Sequence, residues 1–246
     1  MFILFGLGNN EQKYLKTKHN AGRIIIENLA KGWDLEFKKQ KNFHLVKAQK
    51  LTKIYQNQIK IQDLKWQKIQ LNELLPTFNS DLNNVKTTSP SHKNNTNNLN
   101  SRINLNMSKD VLQEFYLVYS DGFMNNSGEV LRDFCNYYKL NQKNSQIIIL
   151  QDDSDQLIGN CKLSLGGGTA GHNGIISVYK HFDKEKIWRL KIGIRPINNK
   201  LKSETFVLSA IENLEEENFG KISSKVSENL AFFDDFNKLQ NLINSF

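Results

Sequence analysis

The sequence predicts an α/β fold: a single domain with a mixed, mostly parallel sheet flanked by helices on both faces, plus a long polar insertion. Three observations lead there. Apolar runs of strand length alternate with stretches of helical periodicity along most of the 246 residues, a length that suits one large domain with its own core. No internal repeat interrupts the alternation. From about 77 to 108 the apolar periodicity all but disappears, and HKNNTNNLNSRINLN holds seven Asn in fifteen residues. Such a segment cannot bury enough surface to offset the cost of ordering it, so disorder is expected there.

The elements follow in chain order. FILFG (2–6) reads as a buried strand. NAGRIIIENLAKGW (20–33) places Ile24, Ile25, Asn28 and Leu29 at helical spacing behind an Asn20 cap. FHLVKA (43–48) and FYLVYS (115–120) read as strands. The stretch 54–75 between them has apolar spacing compatible with either strand or helix, and about 51–112 is taken as an insertion into a single domain spanning 1–246. NSGEVLRDFCNYYKL (126–140) carries Val130, Leu131, Phe134 and Tyr138 on one helical face, with Glu129 in the first turn. SQIIILQDD (145–153) is a short apolar strand ending in acids. Residues 160–182 give an alternating strand, a glycine-rich turn and a helix. WRLKIGIRP (188–196) is a strand that stops at Pro196. The C-terminal stretch is helical, with Val226, Leu230, Phe233, Leu239 and Leu242 as its apolar sites.

Composition narrows the function classes. Lys+Arg 33 against Asp+Glu 25 gives a net charge of +8, which attracts phosphate-bearing partners without naming one. Cys135 and Cys161 are too few for a disulfide framework and show no metal-ligand spacing, so a reducing compartment and no zinc site are expected. MFILFGLGN meets glycine too early for a signal peptide, and no apolar run approaches membrane-spanning length. The expectation is a cytoplasmic protein that does not engage the membrane.

Candidate chemistry gathers where helices follow strands, because loops at strand ends collect binding groups in open α/β sheets. Asn9 follows the first strand, Asn125 precedes a helix, Asp152 ends a strand, Asn173 opens a helix, and His19 stands ahead of the first helix. A carboxylate can fix the tautomer of a histidine and raise its pKa, making a general base of a pair such as His19 and Asp152. Asparagine offers donors and an acceptor without charge, which suits gripping an ester, amide or ribose, and it is equally a common choice for caps and turns. GGGTAG (166–171) satisfies the spacing of a dinucleotide-binding loop, with Glu185 roughly where a ribose-binding acid would be. The lead-in NCKLSL is not the apolar strand that normally opens that unit. There is no G-x-S-x-G elbow, and neither cysteine has a matched histidine, so no covalent nucleophile is expected.

Four blocks, taken in order, add to this reading: GLGNNEQKYLKTKHNAG (6–22), GFMNNSGEV (122–130), QDDSDQLIGNCKLSLGGGTAGHNG (151–174) and WRLKIGIRP (188–196). Together they resemble bacterial-type peptidyl-tRNA hydrolase over nearly the whole chain outside about 50–112. The resemblance implies cleavage of the ester between a peptide and the 3′-terminal ribose of tRNA, by a monomeric cytoplasmic enzyme with a mixed sheet and no metal or other cofactor. It implies His19 as catalytic histidine and Asp152 as its supporting aspartate. It further implies Asn9, Asn125 and Asn173 as substrate-site asparagines and Tyr14 as a cleft tyrosine. Lys18, Arg132, Lys139 and Lys143 are candidates for holding acceptor-stem phosphates. Departures from the pattern are Asn10-Glu11 for Pro-Gly, Lys18 for an arginine, Ser120-Asp121-Gly122 for a Pro-containing lead, Gln151 for a histidine and Ala170 for a glycine. Two alternatives stand beside this reading: a tRNA-binding homologue with weak or lost activity, and a dinucleotide-binding enzyme using GGGTAG.

Overall fold

A computed structural model describes residues 1–55, 58–59, 66–68, 109–197, 206–229 and 236–245. Its strands are β1 (Phe2–Gly6), β2 (Lys38–Gln40), β3 (Phe43–Tyr55), β4 (Gln58–Ile59), β5 (Trp66–Lys68), β6 (Lys109–Ser120), β7 (Gln146–Leu157), β8 (Cys161–Leu165) and β9 (Ile187–Arg195). Its α-helices are α1 (Ala21–Gly32), α2 (Ser127–Tyr137), α3 (Asn173–Tyr179), α4 (Asn213–Asn229) and α5 (Phe236–Asn244).

The strands form one sheet in the order β2-β3-β6-β1-β7-β9-β8, with β4 and β5 paired to β3. The centre, β6-β1-β7-β9, is parallel. Antiparallel strands close it on both sides: β3 on β6 and β2 on β3 at one edge, β8 on β9 at the other. The mixed α/β architecture read from the sequence is therefore the one observed. Every residue of β1 is buried, as a central parallel strand must be when helices cover both faces. Phe2 and Leu4 point to a layer built with α1, α4 and α5. Ile3 and Phe5 point to the opposite layer, built with α2 and α3. Each fully buried side chain of this size contributes roughly 1.5–3 kcal/mol, so the two layers hold the sheet rigidly beneath the loops at its carboxyl ends.

Several expectations shift in detail. The buried face of α1 is Ile25, Ile26, Leu29 and Ala30, one position later than predicted, leaving Ile24 and Asn28 half-buried. Asn20 precedes α1 but makes no side-chain cap; its amide is used elsewhere. The acid-ended strand does not stop at Asp153: β7 continues to Leu157, with an irregular register against β9. The C-terminal helical stretch is two helices, α4 and α5, and the buried position of the last turn is Ile243, not Leu242; Leu230 and Phe233 lie outside the described residues. Regular strand also reaches into the span expected as an insertion, because β3 and β6 stay paired from Phe43↔Ser120 to Ile54↔Lys109. The segment 77–108, expected to be disordered, lies outside the described residues.

Candidate active site

Gly22 brings the first helix onto the sheet. A Cβ built there would lie 2.0 Å from the Leu150 carbonyl oxygen, so only glycine allows α1 to start against β7. The same close approach sets the turn Lys18–Asn20 beside Asp152, two residues further along β7. That turn is also held from the C-terminal side. The His19 N–H donates to the Val207 carbonyl at 2.7 Å, and the Lys18 N–H donates to Ser209 at 3.1 Å. Lys18 itself is buried, its ammonium paired with the equally buried Glu215 and donating to the Ala210 carbonyl at 3.1 Å. This corrects its assignment as a phosphate contact: Lys18 anchors the turn and faces no solvent. Arg132 pairs with Asp133 at 2.9 Å, whereas Lys139 and Lys143 are exposed.

His19 and Asp152 form the expected pair. The His19 Nδ1 donates to the Asp152 carboxylate, 2.9 Å from Oδ1 and 3.0 Å from Oδ2, which leaves Nε2 as the imidazole's second nitrogen. A residue passed over in the sequence completes the group. His172 Nε2 lies 2.9 Å from Asp152 Oδ1, while its Nδ1 accepts the Gly174 N–H at 3.1 Å. With Nδ1 accepting a backbone N–H, His172 faces the Asp152 carboxylate through Nε2–H. The two imidazoles lie 4.9 Å apart, centroid to centroid. For Asp152, burial acts to raise the pKa, but His172 and His19 outweigh it and hold the carboxyl well below the usual range. For His19, burial acts to lower the pKa, and the Asp152 charge and hydrogen bond outweigh it, so the net shift is upward. Among the described residues, His19, Asp152 and His172 also place potential metal-ligand atoms within 4.8 Å of one another; in the present arrangement both imidazoles spend those atoms on the carboxylate.

The remaining predicted residues converge on one side of His19. Asn9, Tyr14, His19, Asn125 and Asn173 line a groove of about 590 Å³, together with the exposed Phe123 and Leu208. Asn9 is locked in place. Its N–H donates to Asn20 Oδ1 at 2.8 Å and its carbonyl accepts from Asn20 Nδ2 at 2.9 Å, which explains why Asn20 does not cap α1. Asn9 Oδ1 accepts the Met124 N–H at 2.8 Å, leaving its amide NH2 as the group available to a ligand. Asn125 and Asn173 are exposed in the groove. Adjoining it at His19 is a second cavity of about 540 Å³, lined by Asp152–Asp155, Thr169–Asn173, Arg189, Lys191 and Arg195 among others. His19 and Asn173 border both, so the imidazole sits where two grooves meet.

The GGGTAG loop has a different use from nucleotide binding. Its strand β8 is an antiparallel edge strand, not the first strand of a parallel βαβ unit. Arg189, buried in β9, donates Nη1 to the carbonyls of Gly166 and Gly168 at 3.2 and 2.6 Å, and Nε to Gln151 Oε1 at 2.7 Å. Two of the loop's carbonyl groups are thus occupied by an internal cation, and the loop carries His172 and Asn173 into the site. Ala170, at φ 47°, occupies the left-handed region where glycine is at ease.

Comparison with known proteins bears on the family and the fold. The sequence profile of the family described as "Peptidyl-tRNA hydrolase" matches residues 3–65 and 80–246. A peptidyl-tRNA hydrolase of Mycoplasma mycoides is 26% identical over 236 residues, covering 96% of this chain and 92% of that protein. One from Aliarcobacter butzleri is 28% identical over 211 residues, covering 85% and 79%. The crystal structure of peptidyl-tRNA hydrolase from Acinetobacter baumannii superposes with a TM-score of 0.65 at 20% identity, over 100% of this chain and 94% of that one; it shares the fold.

Proposed function

Because the chain belongs to the peptidyl-tRNA hydrolase family, we propose that it cleaves the ester between a peptide and the 3′-terminal ribose of tRNA, with His19 activating the attacking water. The carrying observation is the state of the imidazole: Nδ1 is fixed on a buried aspartate while the ring borders both grooves. Nε2 accepts a proton from water as the oxygen attacks the ester carbonyl. Asp152 stabilises the imidazolium that forms, and His172 holds Asp152 from the other side. General-base action of this kind contributes about 10²- to 10⁴-fold. The NH2 groups of Asn9, Asn125 and Asn173 supply uncharged donors for the acyl part and for the negative charge that develops on its oxygen, a contribution of about 10²- to 10³-fold per well-placed donor. Tyr14 and Phe123 offer ring surface along the same groove.

Peptide and ribose would lie on opposite sides of His19, the acyl chain in the asparagine groove. Exposed lysines such as Lys139 and Lys143 and the overall charge of +8 draw the acceptor stem, with affinity that falls as salt rises. We take the enzyme to act as a cytoplasmic monomer. Deacylation of an N-blocked aminoacyl-tRNA by wild type and by His19→Ala tests the proposal. The variant is expected to lose on the order of 100- to 10,000-fold. Equal rates in the two proteins would overturn the assignment, and tight salt-sensitive tRNA binding without turnover in wild type would favour a binding protein instead.

A further inference from the structure

Two loops meet at the floor of the asparagine groove, one carrying Asn9 and the other Asn125. Backbone and side-chain bonds stitch them together: the Asn10 N–H donates to the Gly122 carbonyl at 3.0 Å, and the Met124 N–H donates to Asn9 Oδ1 at 2.8 Å. Between these, Asn10 Nδ2 donates to Asp121 Oδ1. The other side of the Asn10 amide is also engaged, since its Oδ1 accepts from Arg23 Nη1 at 2.6 Å. Arg23 belongs to α1, the helix that follows His19 directly, and is itself held: its Nε donates to Glu27 at 2.8 Å and its guanidinium lies 4.3 Å from the Tyr119 ring centroid. Asp121 is held in turn by His44 Nε2 at 3.0 Å and by Lys39.

We propose that Asn10 and Asp121 are positioning residues that set the spacing between Asn9 and Asn125 across the acyl-binding groove; this rests on the function proposed above. An amide is what the position demands, because it offers a donor to the carboxylate and an acceptor to the guanidinium at once. A carboxylate at residue 10 would face Asp121 with like charge, and an apolar side chain would leave both charged neighbours short of a partner.

The experiment is a charge swap, read as kcat and KM with N-blocked aminoacyl-tRNA, well below the unfolding temperature of every variant. A misplacement of about 1 Å in a site costs up to ~100-fold, so Asn10→Asp and Asn10→Ala are each expected to lower kcat/KM about tenfold. The acid limb of the pH–rate profile keeps its midpoint, because His19 and Asp152 are untouched. Adding Asp121→Asn to Asn10→Asp restores the donor–acceptor pair in reverse, with the second amide hydrogen directed to His44 Nε2, which shares that Asp121 oxygen in the wild type, and returns kcat/KM to within about threefold of wild type. Wild-type rates in both single variants, or a double variant no better than Asn10→Asp, would overturn the tether. A wild type without turnover would overturn the functional reading itself, and the catalytic role of the tether with it.

Discussion

Asp152 and Asp121 each hold a histidine, at 2.9 and 3.0 Å, yet the proposed function draws only on the first pair. What separates them is what else each carboxylate holds and where the imidazole leads. Asp152 is buried and accepts from two imidazoles, one of which borders the grooves where substrate would lie. Asp121 is less enclosed and shared among Lys39, Asn10 and His44, and the His44 ring is stacked on Tyr119 at 4.7 Å. Burial acts to raise the Asp121 pKa, and its bonds to Lys39 and His44 overcome that, so it too stays ionised. An Asp–His contact by itself is therefore scaffolding. In the proposed mechanism it becomes a catalytic device where the imidazole also borders the cleft, as His19 does.

The largest break in that contrast comes from Asp152→Asn. It keeps the shape but removes the charge that stabilises the imidazolium, so kcat/KM with N-blocked aminoacyl-tRNA is expected to fall by roughly 100- to 10,000-fold. The double swap at Asn10 and Asp121, by comparison, nearly preserves the rate.

A second contrast sets buried against exposed ion pairs. Lys18→Ala takes the ammonium from the buried Glu215 and leaves its Oε2 only the Glu212 N–H at 3.0 Å, which costs about 3–5 kcal/mol. Lys39→Ala removes a partner whose side chain is 60% exposed, and about 1 kcal/mol or less is expected. Urea denaturation of the two variants checks both. Similar losses would show that the Lys18 pair is more hydrated than its burial implies.

The smallest effect is in the pH dependence of stability. Asp152 has a depressed pKa when folded; the stability it confers is present above the ordinary carboxylate value of about 3.9 and is lost as pH falls through the folded value. His19 has a raised pKa, so its contribution is full below about 6.5 and is lost as pH rises through the folded value. Wild type is therefore expected to lose some stability between mildly acidic and mildly alkaline pH, and His19→Ala to lose less over the same range. Denaturant midpoints across pH 5–8, a range chosen about that ~6.5 reference, measure the difference.

Asn9, His19, Asn125, Asp152 and Asn173 were legible as candidates because they sit in loops or at strand ends, whereas Tyr14 and the roles of the whole set came only through the family resemblance. Asn9, Tyr14, His19, Asn125 and Asn173 do line one groove. His172 was missed although it adjoins Asn173 in GHNG; an aspartate between two histidines is a three-body arrangement that no linear spacing displays. Lys18 was read as a surface cation because its partner lies nearly two hundred residues away in α4. Arg189 looked like an ordinary strand residue, and only the fold puts the glycine loop's carbonyls on its guanidinium. The fold class followed from periodicity, whereas β2, the polar KKQ, carries no apolar alternation and exists because β3 offers it an edge. The split between α4 and α5 and the extension of β7 past Asp153 likewise depend on tertiary pairing.

The most direct test of the central claim, that Asp152 makes His19 the base, is the pH dependence of kcat/KM in wild type and Asp152→Asn. A base must be unprotonated to work, so wild type is predicted to show an acid limb with its midpoint above about 6.5. In Asp152→Asn the residual activity should show the limb displaced to lower pH, because burial of the imidazole then acts without the carboxylate. A limb with the same midpoint in both proteins, or no acid limb in wild type, would contradict the account.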